Sequence, residues 1–111
     1  MTSALQLNSL PNIKLMIRVD SGPDSGGLYQ LIPPRLTIGR GPENDIVLSD
    51  PKTSRIQAEI LIQGNEIEIN DLSSRQNLAI NGVSAKSAKL KADDKISFGS
   101  TTLRIFFETP V

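Results

Sequence analysis

The chain has neither histidine nor cysteine among its 111 residues. Without imidazole, the Ser–His and Cys–His nucleophilic pairs, imidazole acid–base catalysis and histidine-bound zinc are all excluded. Without thiols there are no disulfides and no thiolate metal sites, a usage that fits a cytoplasmic protein. Aromatic residues are scarce too: Tyr29, Phe98, Phe106 and Phe107 are the whole set. Four rings are too few for a surface that stacks nucleic-acid bases. No excess of charge exists either, because 12 Lys and Arg balance 12 Asp and Glu. That balance leaves no overall field to draw in nucleic acid or an anionic membrane. Finally, no apolar run approaches the length of a bilayer span, and the N-terminus lacks the charged and apolar regions of a signal peptide.

What is present is alternation. Hydrophobic residues make up 38% and charged residues 22% of the chain, an ordinary balance for one globular domain. Period-two patterns recur and helical periodicity does not. Ile13, Leu15, Ile17 and Val19 alternate with polar neighbours; Leu28–Leu31 and Arg35–Ile38 form two short runs broken by Pro33-Pro34. In "RIQAEILIQ" the pattern sets Ile56, Ala58, Ile60 and Ile62 inward against Arg55, Gln57, Glu59 and Gln63. Gly64-Asn65 then turns the chain into "EIEIN", and shorter runs follow at Leu78–Ile80, Ser84–Ala88 and Lys95–Phe98 before the final "TTLRIFFE". Ten or eleven short, mostly antiparallel strands with turns between them predict an all-β sandwich or barrel. The expected organisation is a flexible tail over residues 1–12 and one domain over 13–109. The closeness of "FFETPV" to the last strand suggests one domain of a longer multidomain protein.

Catalytic motifs fail on inspection. Gly39-Arg40-Gly41 opens a G-x-G, but position 44 is Asn and no helix follows. Asp93-Asp94 is the one pair of adjacent carboxylates, and in a turn between strands it reads as a solvated hairpin. The expectation is a non-enzymatic chain without metal or cofactor. Polar residues do collect in three loops: Arg40 in one, Lys52, Ser54 and Arg55 in the next, and Ser73, Ser74, Arg75, Gln76 and Asn77 in the third. If these loops meet, they offer planar guanidinium forks, hydroxyl donors and amides. A phosphorylated residue, with about −1.5 to −2 charges and three acceptor oxygens, matches that set. Taken singly, each of these residues except Arg40 reads better as a solvated loop residue.

In order along the chain stand Gly39-Arg40, Asn44-Asp45-Ile46, Ser54-Arg55-Ile56-Gln57-Ala58, Asp71-Leu72-Ser73-Ser74, Asn81-Gly82 and "LKADDKISFG". This succession resembles the forkhead-associated (FHA) domain family across residues 13 to 108. The resemblance implies an eleven-stranded β-sandwich whose apical loops bind phosphothreonine peptides. Carried over by position, Arg40 would contact the phosphate or the peptide beside it, Ser54 would donate its hydroxyl to the phosphate, and Arg55 would be a second contact. Lys52 lies in the same loop. Gly39, Gln57, Asn81 and Gly82 would support the loops, with Asn-Gly supplying the positive φ angles of a tight turn.

The sequence departs from the family pattern at three places. Gln57 stands where the family has a histidine that braces the Ser-Arg loop, and a glutamine amide both donates and accepts. Arg75 and Gln76 occupy the family's Thr-Asn positions and Asn77 its glycine, where Asn tolerates the left-handed conformation. Either Gln76 or Asn77 would hold the peptide backbone, and Arg75 either strengthens the grip on phosphate or obstructs the peptide.

The implied function is a phosphothreonine-dependent signalling module. Its partner would be a phosphorylated protein or a segment of its own full-length chain, for which Thr2 and Thr109 are candidate sites. The alternative is a divergent FHA fold acting as a phosphate-independent adaptor or dimerisation domain, for whose docking face Phe106 is a candidate, against its reading as an ordinary second-layer core residue.

Overall fold

The computed structural model describes residues 13–109. The tail expected over residues 1–12, Thr2 included, therefore lies outside the described residues. Eleven strands run in chain order: β1 (Lys14–Ser21), β2 (Leu28–Gln30), β3 (Arg35–Gly39), β4 (Ile46–Val47), β5 (Ala58–Gln63), β6 (Glu66–Asp71), β7 (Ala79–Ile80), β8 (Val83–Ser84), β9 (Ser87–Leu90), β10 (Lys95–Phe98) and β11 (Thr101–Glu108). They form a six-stranded sheet, β2-β1-β11-β10-β7-β8, facing a five-stranded sheet, β4-β3-β5-β6-β9. The all-β sandwich expected from the alternation is what the chain forms.

Alternation explains the layers. Leu15, Ile17 and Val19 of β1 and Leu103 and Ile105 of β11 point into the gap between the sheets, and Ile17 pairs with Ile105 across the antiparallel ladder. Ile60 and Ile69, opposite one another in β5 and β6, close the core from the other sheet, with Ile38 of β3 beside them. All but Leu15 (4%) and Val19 (1%) of these side chains are completely buried, and each burial is worth about 1.5–3 kcal/mol before chain entropy is counted. On the outer side of the six-stranded sheet, Phe106 is half-buried with the Arg18 guanidinium 5.6 Å from its ring centre, a cation–π contact on that outer face.

Register places the loops. Ile38 lies opposite Ala58, and Ala58 opposite Asp71, so β3, β5 and β6 all have their site-ward ends in one row. Segments 40–45, 48–57 and 72–78 consequently leave from the same end of the five-stranded sheet. The turn at Gly99-Ser100, between β10 and β11 of the other sheet, reaches this end too, where the Ser100 amide donates to buried Asp50 at 2.8 Å.

Four local expectations are corrected. Ser84–Ala88 is not one strand: β8 ends at Ser84 and β9 begins at Ser87. The parallel two-residue β4, paired with β3, was not foreseen, because two residues carry no alternation to read. Ile56 is exposed (40%) and Gln57 is completely buried, the reverse of the alternation, because β5 starts only at Ala58 and Gln57 turns inward to polar partners. Asp93-Asp94 is not a solvated pair: Asp93 is exposed, whereas Asp94 is buried beneath three donors.

Candidate functional site

The two ends of the long connection from β3 to β5 are laced together by backbone. The Arg40 amide donates to the Ser54 carbonyl at 3.0 Å, and the Gly41 amide to the Arg55 carbonyl at 2.9 Å. The Asn44 side chain, buried beneath them, donates from Nδ2 to the carbonyls of Gly41 (2.7 Å) and Arg55 (2.8 Å). Gly39 is where this lacing is tightest: a Cβ there would collide with the Arg55 carbonyl oxygen. The Gly-Arg dipeptide thus has a steric reason, since only glycine lets the chain pass this close while Arg40 stays on the rim.

Two guanidinium groups dock on consecutive carbonyls of this ribbon. Arg40 Nε donates to the Thr53 carbonyl at 3.1 Å, and Arg75 Nη1, from the third loop, donates to the Lys52 carbonyl at 2.8 Å. Arg40, Lys52 and Arg75 are exposed, and none has a carboxylate partner among the described residues. Arg55 differs, because its Nε is ion-paired with Glu43 at 2.9 Å and its charge is locally offset. The Glu43 backbone amide, and after it the Arg55 guanidinium, hold the Glu43 carboxyl below its usual value. The Ser54 hydroxyl has no protein acceptor among the described residues.

Gln57 connects the second loop to the third. Its Oε1 accepts the Ser54 amide at 3.1 Å, and its Nε2 donates to Asn77 Oδ1 at 2.9 Å and, at 3.4 Å, to Asp71 Oδ1. Asp71 also accepts the Ser73 amide (2.9 Å) and hydroxyl (2.7 Å), and its second oxygen takes the Leu78 amide at 3.3 Å. The positive φ in this loop falls on Gln76 (52°) rather than on Asn77, the residue expected to carry it. Asn77 instead keeps its Oδ1 on Gln57, and its Nδ2 is left without a protein partner among the described residues.

Below the rim, Asp50 is completely buried and accepts the amides of Lys52 (2.9 Å) and Ser100 (2.8 Å) and the Thr101 hydroxyl (2.8 Å). Burial alone would push its carboxyl up, but the Lys52 amide, Thr101 hydroxyl and Ser100 amide outweigh this and hold it below its ordinary value. Sequence reasoning assigned neither Asp50 nor Asn44 a role. The Asp50-Pro51 dipeptide is a recognisable turn signal, but its tie to residue 100 is not readable locally.

Arg40, Lys52, Ser54, Arg55, Arg75, Gln76 and Asn77 are therefore drawn to one end of the molecule, with Gly39 and Gln57 beneath them. Asn81 and Gly82 are not part of this rim. Asn81 Nδ2 donates to Asp94 Oδ1 at 2.9 Å and its Oδ1 accepts the Lys95 amide at 2.9 Å, with φ of 52° at Asn81 and 84° at Gly82. They hold the tight turn between β7 and β8 against the segment that enters β10. Among the described residues no cluster of His, Cys, Asp and Glu suits a metal ion, and no helix is long and apolar enough to cross a membrane.

The surroundings of this chain among known proteins agree with the geometry. Residues 18–108 match the family described as the inner membrane component of T3SS, cytoplasmic domain. An oxoglutarate dehydrogenase inhibitor from Corynebacterium efficiens is 33% identical over 108 residues, 97% of this chain and 75% of that protein. The glycogen accumulation regulator GarA from Mycolicibacterium smegmatis is 31% identical over 104 residues, 94% of this chain and 65% of that protein. The chain thus spans less than two thirds of that regulator's length. A structure solved in a study of phosphothreonine-dependent FHA domain interactions superposes with a TM-score of 0.78 at 28% identity, covering 88% of this chain and 99% of that one. A two-sheet sandwich with laced apical loops, matched along nearly its whole length by these proteins, places the chain in the forkhead-associated domain family, whose members are binding modules rather than catalysts.

Proposed function

We propose that the chain is a phosphothreonine-peptide-binding signalling module, with Arg40 and Ser54 gripping the phosphate and Asn77 holding the peptide backbone beside it. The observation that carries this reading is the set of unengaged donors on one rim. Arg40 keeps both Nη groups, Ser54 its hydroxyl and Asn77 its Nδ2, while the atoms that position them are all committed to the fold. A guanidinium fork and a hydroxyl on a fixed backbone suit a phosphate dianion. Arg55, offset by Glu43, contributes less than Arg40. Lys52 adds long-range attraction as an exposed ammonium.

The buried chemistry of the ribbon supports the same place. Asn44 Oδ1 is buried without a protein hydrogen-bond partner among the described residues, whereas the Thr53 hydroxyl lies close enough to the Asp50 carboxylate to help hold it ionised. An unmet buried acceptor costs about 1–3 kcal/mol, and such costs are found where function constrains the sequence. The partner is a phosphorylated protein, and the biological role is regulation of the protein so bound, in keeping with relatives named as a regulator and an inhibitor.

The test is binding of a degenerate phosphothreonine peptide library against its unphosphorylated counterpart. Phosphate-dependent capture is expected, and Arg40→Ala should weaken it by about one to two decades, the equivalent of ~1.5–3 kcal/mol for a charged hydrogen-bond partner. Equal capture of both libraries would overturn this reading in favour of a phosphate-independent adaptor.

A further inference from the structure

We propose that the outer face of the six-stranded sheet, away from the apical loops, is a second docking surface, and that it takes an acidic segment of a protein partner. Arg18, Arg104 and Lys95 meet the partner's carboxylates, with Met16 and Phe106 beside them. This surface does not depend on the phosphothreonine reading of the rim.

The first observation is a row of like charge. Arg18 of β1 lies opposite Arg104 of β11, and Arg104 lies opposite Lys95 of β10. Their chain neighbours Ile17, Ile105 and Ile96 are completely buried, so alternation puts all three cations on the outer face. Like charges directly opposite one another on adjacent strands destabilise a sheet. One carboxylate serves the row, since Asp20 accepts from Arg18 Nε at 2.7 Å and from Arg104 Nε at 3.0 Å. The Arg18 guanidinium, ahead of that of Arg104, holds the Asp20 carboxyl below its usual value against the effect of burial. Lys95 has no carboxylate partner among the described residues. At the far end of the face Lys14 and Glu108 stand opposite one another and balance in charge. The three cations thus form a local excess on a chain that is neutral overall, carried on strands whose pairing it opposes.

The second observation is what flanks the row. On one side Gln30, Met16 and Phe106 lie next to each other across β2, β1 and β11. Met16 is 7% exposed although it is not part of the buried core, and Phe106 is half-buried under the Arg18 guanidinium. On the other side Ser97 faces Thr102, and neither hydroxyl has a protein partner among the described residues. With Lys95, Asn81 and Gly82 they line an open recess of about 510 Å³, far more than the ~30 Å³ share of one water. Arginine, methionine and aromatic rings are the side chains enriched where proteins dock on one another. Anionic membranes, by contrast, call for clusters of about four to eight Lys and Arg, more than this row supplies. The surface is not an extension of the rim, since four residues, roughly 13 Å of strand, separate Lys95 from Gly99 in the apical turn.

The test is an NMR titration of the isotope-labelled chain with a short unphosphorylated peptide that alternates glutamate and alanine around a central leucine. Amide shifts are expected at Arg18, Lys95, Ser97, Thr102 and Arg104, and not in residues 40–57 or 72–78. A counterpart with glutamine for each glutamate should bind at least about tenfold more weakly, as expected for several lost charged contacts at partly exposed sites. Lys95→Gln and Arg104→Gln should each weaken the acidic peptide about two- to fivefold and leave capture of the phosphothreonine library unchanged. Lys95→Gln should also melt no lower than wild type, because it removes a like charge from the row, whereas loss of a structural lysine would lower the melting temperature. The inference is overturned if the shifts fall on the apical loops, if the glutamine peptide binds equally well, or if no peptide moves the amides of this face. It is overturned too if those amides respond instead to phosphatidylserine vesicles, to inorganic phosphate or to concentrating the chain alone. Those results would assign the face to a membrane, a small anion or a second copy.

Discussion

Two asparagines placed by turn-like sequence signals, Asn77 and Asn81, occupy the two kinds of corner this sandwich contains. Asn81 has both ends of its amide engaged, donating to buried Asp94 and accepting from the Lys95 amide. Asn77 gives only its oxygen to Gln57. The same contrast holds one level down. Asp94 and Asp50 are both buried carboxylates held below their ordinary values, in each case because donors overcome a burial that pushes the other way. Around Asp94 the polar groups satisfy one another and close the turn. Around Asp50, Asp71 and Gln57 they fix a backbone whose outward side is left with unengaged cations, a hydroxyl and an amide. The two corners are built from the same device, and what separates scaffold from site is the donor left over.

That contrast can be broken from the scaffold side first. Asp50→Ala strips three donors of their acceptor in a buried setting and should cost about 3 kcal/mol or more of stability by urea denaturation. Because folding depresses the Asp50 carboxyl, its contribution is present at neutral pH and is lost as pH falls through and below the ordinary value of 3.8. Stability of Asp50→Asn should therefore depend less on pH in that acidic range than wild type does. Gln57→Ala comes next, at about 2 kcal/mol, because the Ser54 amide and Asn77 lose a buried partner. This variant should also weaken phosphopeptide binding, linking scaffold to rim. Asn81→Ala should cost about 1 kcal/mol of stability with phosphopeptide affinity unchanged in a fluorescence-anisotropy titration. A loss of affinity there would dissolve the distinction between the corners. Smallest in stability terms is Asn77→Asp, which keeps the oxygen that meets Gln57 while replacing the spare amide donor. It should lower affinity with a melting shift of a few degrees at most.

Alternation made the sandwich legible, since the buried positions of β5, β6 and most of β11 follow period two, while β1 departs from it at Met16, buried between Leu15 and Ile17. The candidate site was legible through the order in which Gly39-Arg40, Ser54-Arg55 and Asp71-Leu72-Ser73-Ser74 follow one another, since no one of these short motifs carries the reading alone. What escaped has identifiable physical origins. Gln57 interrupts the alternation because its amide is satisfied by groups 14 and 20 residues away in sequence. The offsetting of Arg55 by Glu43 is likewise a contact across 12 residues. Left-handed backbone at Gln76 rather than Asn77 reflects a side chain, that of Asn77, already bound elsewhere. Local pattern reads the element and not the partner that overrides it.

The close approach at Gly39 also has a kinetic consequence. Arg40 and Ser54 are joined by a backbone hydrogen bond, so under the proposed phosphothreonine reading an arriving phosphate would meet groups whose backbone is already fixed. Association should then be limited by diffusion and steered by the unpaired cations, slowing as salt is added, while residence time follows the contacts made after arrival. For the proposed signalling module this would mean that lifetime on the partner can be altered by substitutions around the rim with little change in how quickly partners are found.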